Sequence, residues 1–233
     1  MKRAATVIAA ALLVVAGVAL ARTWMAAPQP WSVLLIVVEP PPRAWLEPEG
    51  PAPRTPRLDR LGGAGVRLPL QAPSLSAGEW LGAVLGGAPP QRSLLRTSGA
   101  RGWLSVGGSQ VPVDPALAER FDRFAQGVDA ETTVDAVLDG VGQVVTGGRA
   151  RTLVVAVLRP DSAAQLERAT ARLIDGTAPW LPPAQTMVVL VDRGMRSAVL
   201  VAPSRPEDLG VSGALGPGDL GDAVARWLRL PLE

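Results

Sequence analysis

Glu39 and Asp192 each stand at the end of an apolar run, Val33–Val38 and Thr186–Val191, and Arg193 follows Asp192 at once. Arg159 closes a third such run, Leu153–Leu158, while Arg43 and Arg196 lie a few residues beyond the first and second. Carboxylates in these places could ligate a divalent cation, because hard cations are held by converging oxygens. Guanidinium groups there could instead fix an anionic group without a metal, through charge-assisted hydrogen bonds. Each residue also has a plainer use. Glu39 could be a solvated carboxylate closing a strand, and Asp192 with Arg193 a structural pair of opposite charges.

Composition removes several chemistries. The chain of 233 residues holds no histidine and no cysteine. That excludes thiol nucleophiles, thiolate metal sites, disulfides and any Ser-His-Asp arrangement, and removes the commonest general base. Formal net charge is +2, although the sequence pI is near 10.2. With neither histidine, cysteine nor tyrosine to buffer, a small excess of arginine lifts the pI. Lys2 is the sole lysine, the arginines are scattered, and aromatic content is 4%. A nucleic-acid surface needs basic clusters interleaved with aromatics, so nucleic acid is set aside as a partner.

The elements that must position these residues follow from apolar patterning. Trp31–Val38, Val66–Leu70, Trp103–Val106, Leu153–Leu158, Thr186–Val191 and Ala198–Val201 read as strands, several of them continuously apolar as in a sheet buried on both faces. Helical segments alternate with them. One starts at Thr55-Pro56 and stops at Gly62-Gly63, and another runs from Ser76 to Leu85. Residues 93–98 resemble a helix remnant. Ala130–Val145 carries Val134, Val137, Leu138 and Val141 on one face. Asp161 or Ser162 caps a helix to Ile174, and Asp219–Leu228 is the last. Alternation of this kind predicts an α/β fold: a mostly parallel sheet with helices on both faces and a ligand site beyond the carboxyl ends of its strands.

The N-terminal segment reads as a targeting element. Lys2 and Arg3 precede an apolar run, Ala4–Ala21, closed by Arg22. Its length approaches that of a bilayer span, which suits an uncleaved anchor, whereas Ala19-Leu20-Ala21 suits signal-peptide cleavage. In either case the charged end stays cytoplasmic and the body lies outside. Residues 1–25 are thus a signal peptide or membrane anchor. Residues 26–54 hold a linker, the first strand and a Pro-rich loop, and 31–233 form a single α/β domain.

The order of these segments resembles the sulfatase and alkaline-phosphatase superfamily. Thr55-Pro56-Arg57-Leu58-Asp59-Arg60-Leu61 followed by Gly65-Val66-Arg67 is similar to that family's TPNLDRLA…GVRF pattern. Val33–Glu39 is similar to its opening strand with a metal-binding acid at the end. Phe121–Phe124 resembles its GFDRF segment, and Thr186–Gly194 its TLVVFTSDHG strand. Ala198–Pro203 and Asp219–Pro231 match the following strand and the terminal segment. The matches are collinear over most of the chain from Val33.

The resemblance implies an alkaline-phosphatase-like sheet and an ester hydrolase using one or two divalent cations and a nucleophile at a helix start. The chain departs from that pattern where the ligands belong. Glu39 replaces the leading aspartate and is followed by three prolines. Arg193 stands where histidine or asparagine is expected, and a guanidinium cannot ligate a cation. Arg159-Pro160-Asp161 occupies the place of a DPH-like segment without its histidine, and only Met195, Arg196 and Ser197 separate Gly194 from the next strand. Ser76 falls at the nucleophile position in one register and Ala77 in the other, and Ser76 also suits a helix cap.

The expected function is therefore a noncatalytic sulfatase-like module for binding or assembly, held at the outer side of the cytoplasmic membrane by its N-terminal helix, or secreted if that helix is cleaved. It would need no cofactor and could take an anionic ligand or protein partner through Arg43, Arg159, Arg193 and Arg196. The alternative is a weak hydrolase of sulfate or phosphate esters using Glu39, Asp192 and Ser76 around a single calcium or zinc ion. A drifting product without selected activity is a third reading.

Overall fold

The structure, a computed structural model, describes residues 31–39, 56–71, 75–86, 103–145, 151–194, 197–202, 211 and 213–228. The expected N-terminal helix, the Pro-rich loop, the 93–98 remnant, Arg43 and Arg196 lie outside the described residues. Among those described, no helix is long and apolar enough to cross a membrane.

The strands are β1 (Ser32–Val38), β2 (Val66–Pro69), β3 (Trp103–Ser109), β4 (Arg123–Gln126), β5 (Arg151–Leu158), β6 (Thr186–Asp192) and β7 (Ser197–Val201). They form one sheet in the order β2-β7-β6-β1-β5-β3-β4. β6, β1, β5, β3 and β4 run parallel, and β7 is antiparallel to both β6 and β2. β1 lies at the centre, and all its residues are buried. That explains its unbroken apolar run from Val33 to Val38, since a strand covered on both faces has no solvent side to carry polar residues.

The helices are α1 (Pro56–Ala64), α2 (Ala77–Gly86), α3 (Pro115–Ala118), α4 (Ala130–Val144), α5 (Ala163–Thr177) and α6 (Pro217–Trp227). Alternate residues of β1 feed two cores. Val33, Leu35 and Val37 pack with Trp80, Leu81 and Val84 of α2 and Leu220 and Val224 of α6. Leu34, Ile36 and Val38 pack with Val134, Val137 and Val141 of α4 and Leu166 and Leu173 of α5. Each such aliphatic side chain contributes roughly 1.5–3 kcal/mol on full burial, so the paired cores dominate the stability of the sheet. Trp227 ties α6 to the start of β1 by donating from its indole nitrogen to the Ser32 carbonyl at 2.8 Å.

Several boundaries differ from the sequence reading, each for a tertiary reason. α1 continues through Gly62-Gly63 to Ala64, and the Gly65 N–H closes it onto the Leu61 carbonyl at 2.9 Å. A Cβ on Gly65 would lie 2.6 Å from the Leu200 carbonyl oxygen of β7, so glycine is demanded there. α5 runs past Ile174 to Thr177, with Ser162 rather than Asp161 as its cap. α6 begins at Pro217; Asp219 sits inside its first turn and accepts from the Gly216 N–H at 2.9 Å. β3 extends to Ser109, because Gly107 and Gly108 let Phe121, Phe124 and Val137 press against the strand. The short α3 and β4 were not signalled by pattern.

Candidate functional site at the carboxyl edge of the sheet

β1 lies between β5 and β6, and the register puts Val38 level with Leu158 on one side and Asp192 on the other. Glu39, Arg159 and Arg193 each follow one of those three residues and so stand in a row beyond the carboxyl ends of parallel strands. The backbone continues the ladder for that one step. Glu39 N–H donates to the Leu158 carbonyl at 2.8 Å, and Arg193 N–H donates to the Val38 carbonyl at 3.1 Å. This is where an α/β sheet places a ligand site.

The row is occupied by an ion pair. Arg193 Nη1 donates to Glu39 Oε1, and Nη2 donates to the backbone carbonyl of Leu75. The two side chains keep only 14% and 15% of their exposure. At that depth the pair is screened little, and removing one partner would strand the other charge, at a cost of roughly 3–5 kcal/mol for a fully buried pair. Asp192 is half-buried at the level of Val38 and Ser197. Arg159 is exposed, and its backbone N–H donates to Gln110 Oε1 at 2.6 Å.

Ser76 lies next to Leu75 and is brought to the same edge by that contact. It is exposed, and its hydroxyl accepts from the Glu79 N–H at 3.2 Å while the Glu79 carboxylate accepts from the Ser76 N–H at 2.8 Å. This is a reciprocal capping box at the start of α2. Hydrogen bonding from Ser76, its backbone N–H first and its side chain second, holds the Glu79 carboxyl below its ordinary value. A shallow cavity of about 290 Å³ opens beside the cap, lined among others by Ser76, Glu79, Asp114, Leu117 and Arg120.

Among the described residues this edge does not present a grouped set of cation ligands. Glu39 is engaged by a guanidinium, which has no lone pair to offer and places a fixed positive charge among the would-be ligands. Among the described residues no three His, Cys, Asp or Glu side chains are grouped to hold a metal ion. The structure thus brings together Glu39, Arg159, Arg193 and, through Leu75, Ser76; Arg43 and Arg196 lie outside the described residues. Pattern reading missed Leu75 and Gln110. Leu75 contributes only a backbone oxygen, which leaves no trace in residue type.

No protein-family profile and no curated protein matches the chain. Solved structures do resemble it. Ps i-CgsB in complex with k-i-k-neocarrahexaose aligns with a TM-score of 0.59 and 12% identity, over 88% of this chain and 73% of that one. A protein in the alkaline phosphatase superfamily from Vibrio parahaemolyticus aligns at 0.54 and 12% identity, over 76% and 62%. The lipoteichoic acid synthase LtaP from Listeria monocytogenes aligns at 0.57 and 10% identity, over 86% and 72%. At such identities the likeness is one of fold.

Proposed function

The chain has a sulfatase/alkaline-phosphatase-like fold, and from that premise we propose that it is a noncatalytic member of that structural class, acting as a binding or assembly module outside the cytoplasmic membrane. The observation that carries the proposal is the Arg193–Glu39 pair, which fills the carboxyl edge of the central strands with a charge-neutral, largely buried contact. A site built to activate water or a hydroxyl on a metal needs open coordination positions and several anionic ligands. Here the leading carboxylate is spent on a guanidinium. The apolar run Ala4–Ala21 supports placement of the module at the outer face of the membrane, or its secretion after cleavage.

Arg159, exposed in the same row, supports an anionic ligand, with Arg43 and Arg196 close to the same strand ends in sequence. The carbohydrate in the Ps i-CgsB complex makes oligosaccharides of the neocarrahexaose class reasonable first probes, alongside inorganic sulfate and phosphate.

The purified chain should contain no stoichiometric metal and should not turn over aryl sulfate or aryl phosphate esters with or without added calcium or zinc. Bound metal together with turnover abolished by Glu39→Gln would overturn the proposal in favour of a weak hydrolase using Glu39, Asp192 and Ser76. The proximity of Ser76 to the Arg193 contact is what keeps that second reading worth testing. Sulfate binding unchanged in Arg159→Ala and Arg196→Ala would count against the anionic ligand.

A further inference from the structure

Arg193 gathers groups from three parts of the fold. Its backbone N–H reaches the Val38 carbonyl at 3.1 Å, Nη1 reaches the Glu39 carboxylate, and Nη2 reaches the Leu75 carbonyl just ahead of α2. One residue therefore joins the end of β1, the end of β6 and the approach to α2. A divalent cation does similar work when it draws oxygens from separate elements into one shell. The two oxygens that the guanidinium collects, a carboxylate and a main-chain carbonyl, are the hard donors that calcium favours.

We infer that Arg193 is a resident cation: its guanidinium takes the structural place of a divalent metal and fastens the carboxyl edge of the sheet to the N-terminal end of α2. The inference rests on the noncatalytic reading of this edge. The guanidinium and Glu39 neutralise each other in a shared, largely buried position without any ion. An incoming divalent cation would meet a fixed positive charge and a carboxylate already engaged. The planar donor fork also reaches both oxygens at once, which the point charge of lysine does less well. Fastening of this kind can be neither stripped by a chelator nor tuned by ion concentration.

Thermal unfolding of the full chain tests this. The wild-type midpoint should be the same in EDTA and in millimolar calcium. Arg193→Met, which keeps the apolar stem and removes the charge, should lower the midpoint by at least about 4 °C. Because it leaves the Glu39 carboxylate and Leu75 carbonyl without their cation, it should also gain a calcium-dependent rise that the wild type lacks. Arg193→Lys should fall between the two and stay indifferent to calcium. If Arg193→Met does not fold, Glu39→Gln carries the test and must lower the midpoint without becoming calcium-dependent. A wild-type midpoint that falls in EDTA would overturn the inference. So would an Arg193→Met or Glu39→Gln variant as stable as wild type, or an Arg193→Met protein that is weakened yet indifferent to calcium. Ester turnover by a wild-type protein insensitive to EDTA would defeat the noncatalytic reading while leaving the resident cation standing, so the two failures are distinguishable.

Discussion

Ser76 and Glu79 cap the same helix end reciprocally, the hydroxyl accepting from the Glu79 N–H at 3.2 Å and the carboxylate accepting from the Ser76 N–H at 2.8 Å. Ser76 thus satisfies a backbone donor that would otherwise lack a partner. Its neighbour Leu75 is held by Arg193, so the helix start is fixed from both sides.

Loss of that cap is measurable. Ser76→Ala should destabilise the protein by about 1 kcal/mol in urea unfolding, and Ser76→Asp should retain most of the lost stability, because aspartate caps as well as serine. An unchanged midpoint in Ser76→Ala would remove the capping role. Aryl-ester turnover lost on the same substitution would point instead to a nucleophile.

Acid should weaken two helix starts. Hydrogen bonds from Ser76, backbone before side chain, hold the Glu79 carboxyl below 4.5, and those from Thr132, again backbone first, hold the Asp129 carboxyl below 3.8. A carboxyl depressed in the folded state stabilises that state fully above its unfolded value and loses the contribution as pH falls through the lower folded value. Stability from Glu79 should therefore be complete above pH 4.5 and decline below it, with Asp129 following below pH 3.8. Unfolding midpoints across the acid range should show a shallower decline in the Glu79→Gln, Asp129→Asn double variant. An identical slope would contradict the assignment.

The close approach of α2 and α6 sets a third expectation. A Cβ on Gly221 would lie 2.5 Å from the Val84 carbonyl oxygen, a backbone atom that cannot swing aside. Gly221→Ala should cost roughly 1–3 kcal/mol through forced separation of the helices. Since α2 carries the Ser76 cap, hydrogen exchange should rise at residues 77–80 in that variant. Wild-type stability in Gly221→Ala would show that the two helices yield more easily than this packing implies.

Much of the fold was legible because its signals are local. Pro56 at the first turn of α1, the continuous apolar runs of β1, β5 and β6, and the valine face of α4 all identify their elements without reference to neighbours. The shortest elements were not legible. α3 and β4 hold four residues each: α3 is a single turn, too short to show a helical period although Asp114 caps it locally at the Ala116 N–H, and β4 exists through the pairing of Arg123–Gln126 with β3 beside the Phe121–Phe124 ring contact. Helix limits moved for a similar reason. The extension of α5 to Thr177 uses Gly176, whose missing side chain lets the helix lie against Leu138.

By itself the sequence determined the chemistry that this edge lacks. With no histidine or cysteine anywhere, imidazole and thiolate metal ligands are excluded whatever the fold. It also determined which residues end the apolar runs, because strand burial is written in residue type. Only the tertiary structure decided that Glu39, Arg159 and Arg193 share one level, since strand register depends on pairings between segments more than a hundred residues apart. It alone decided that the guanidinium reaches both Glu39 and the Leu75 carbonyl. A main-chain oxygen is common to every residue, so nothing in the order of side chains could have singled it out.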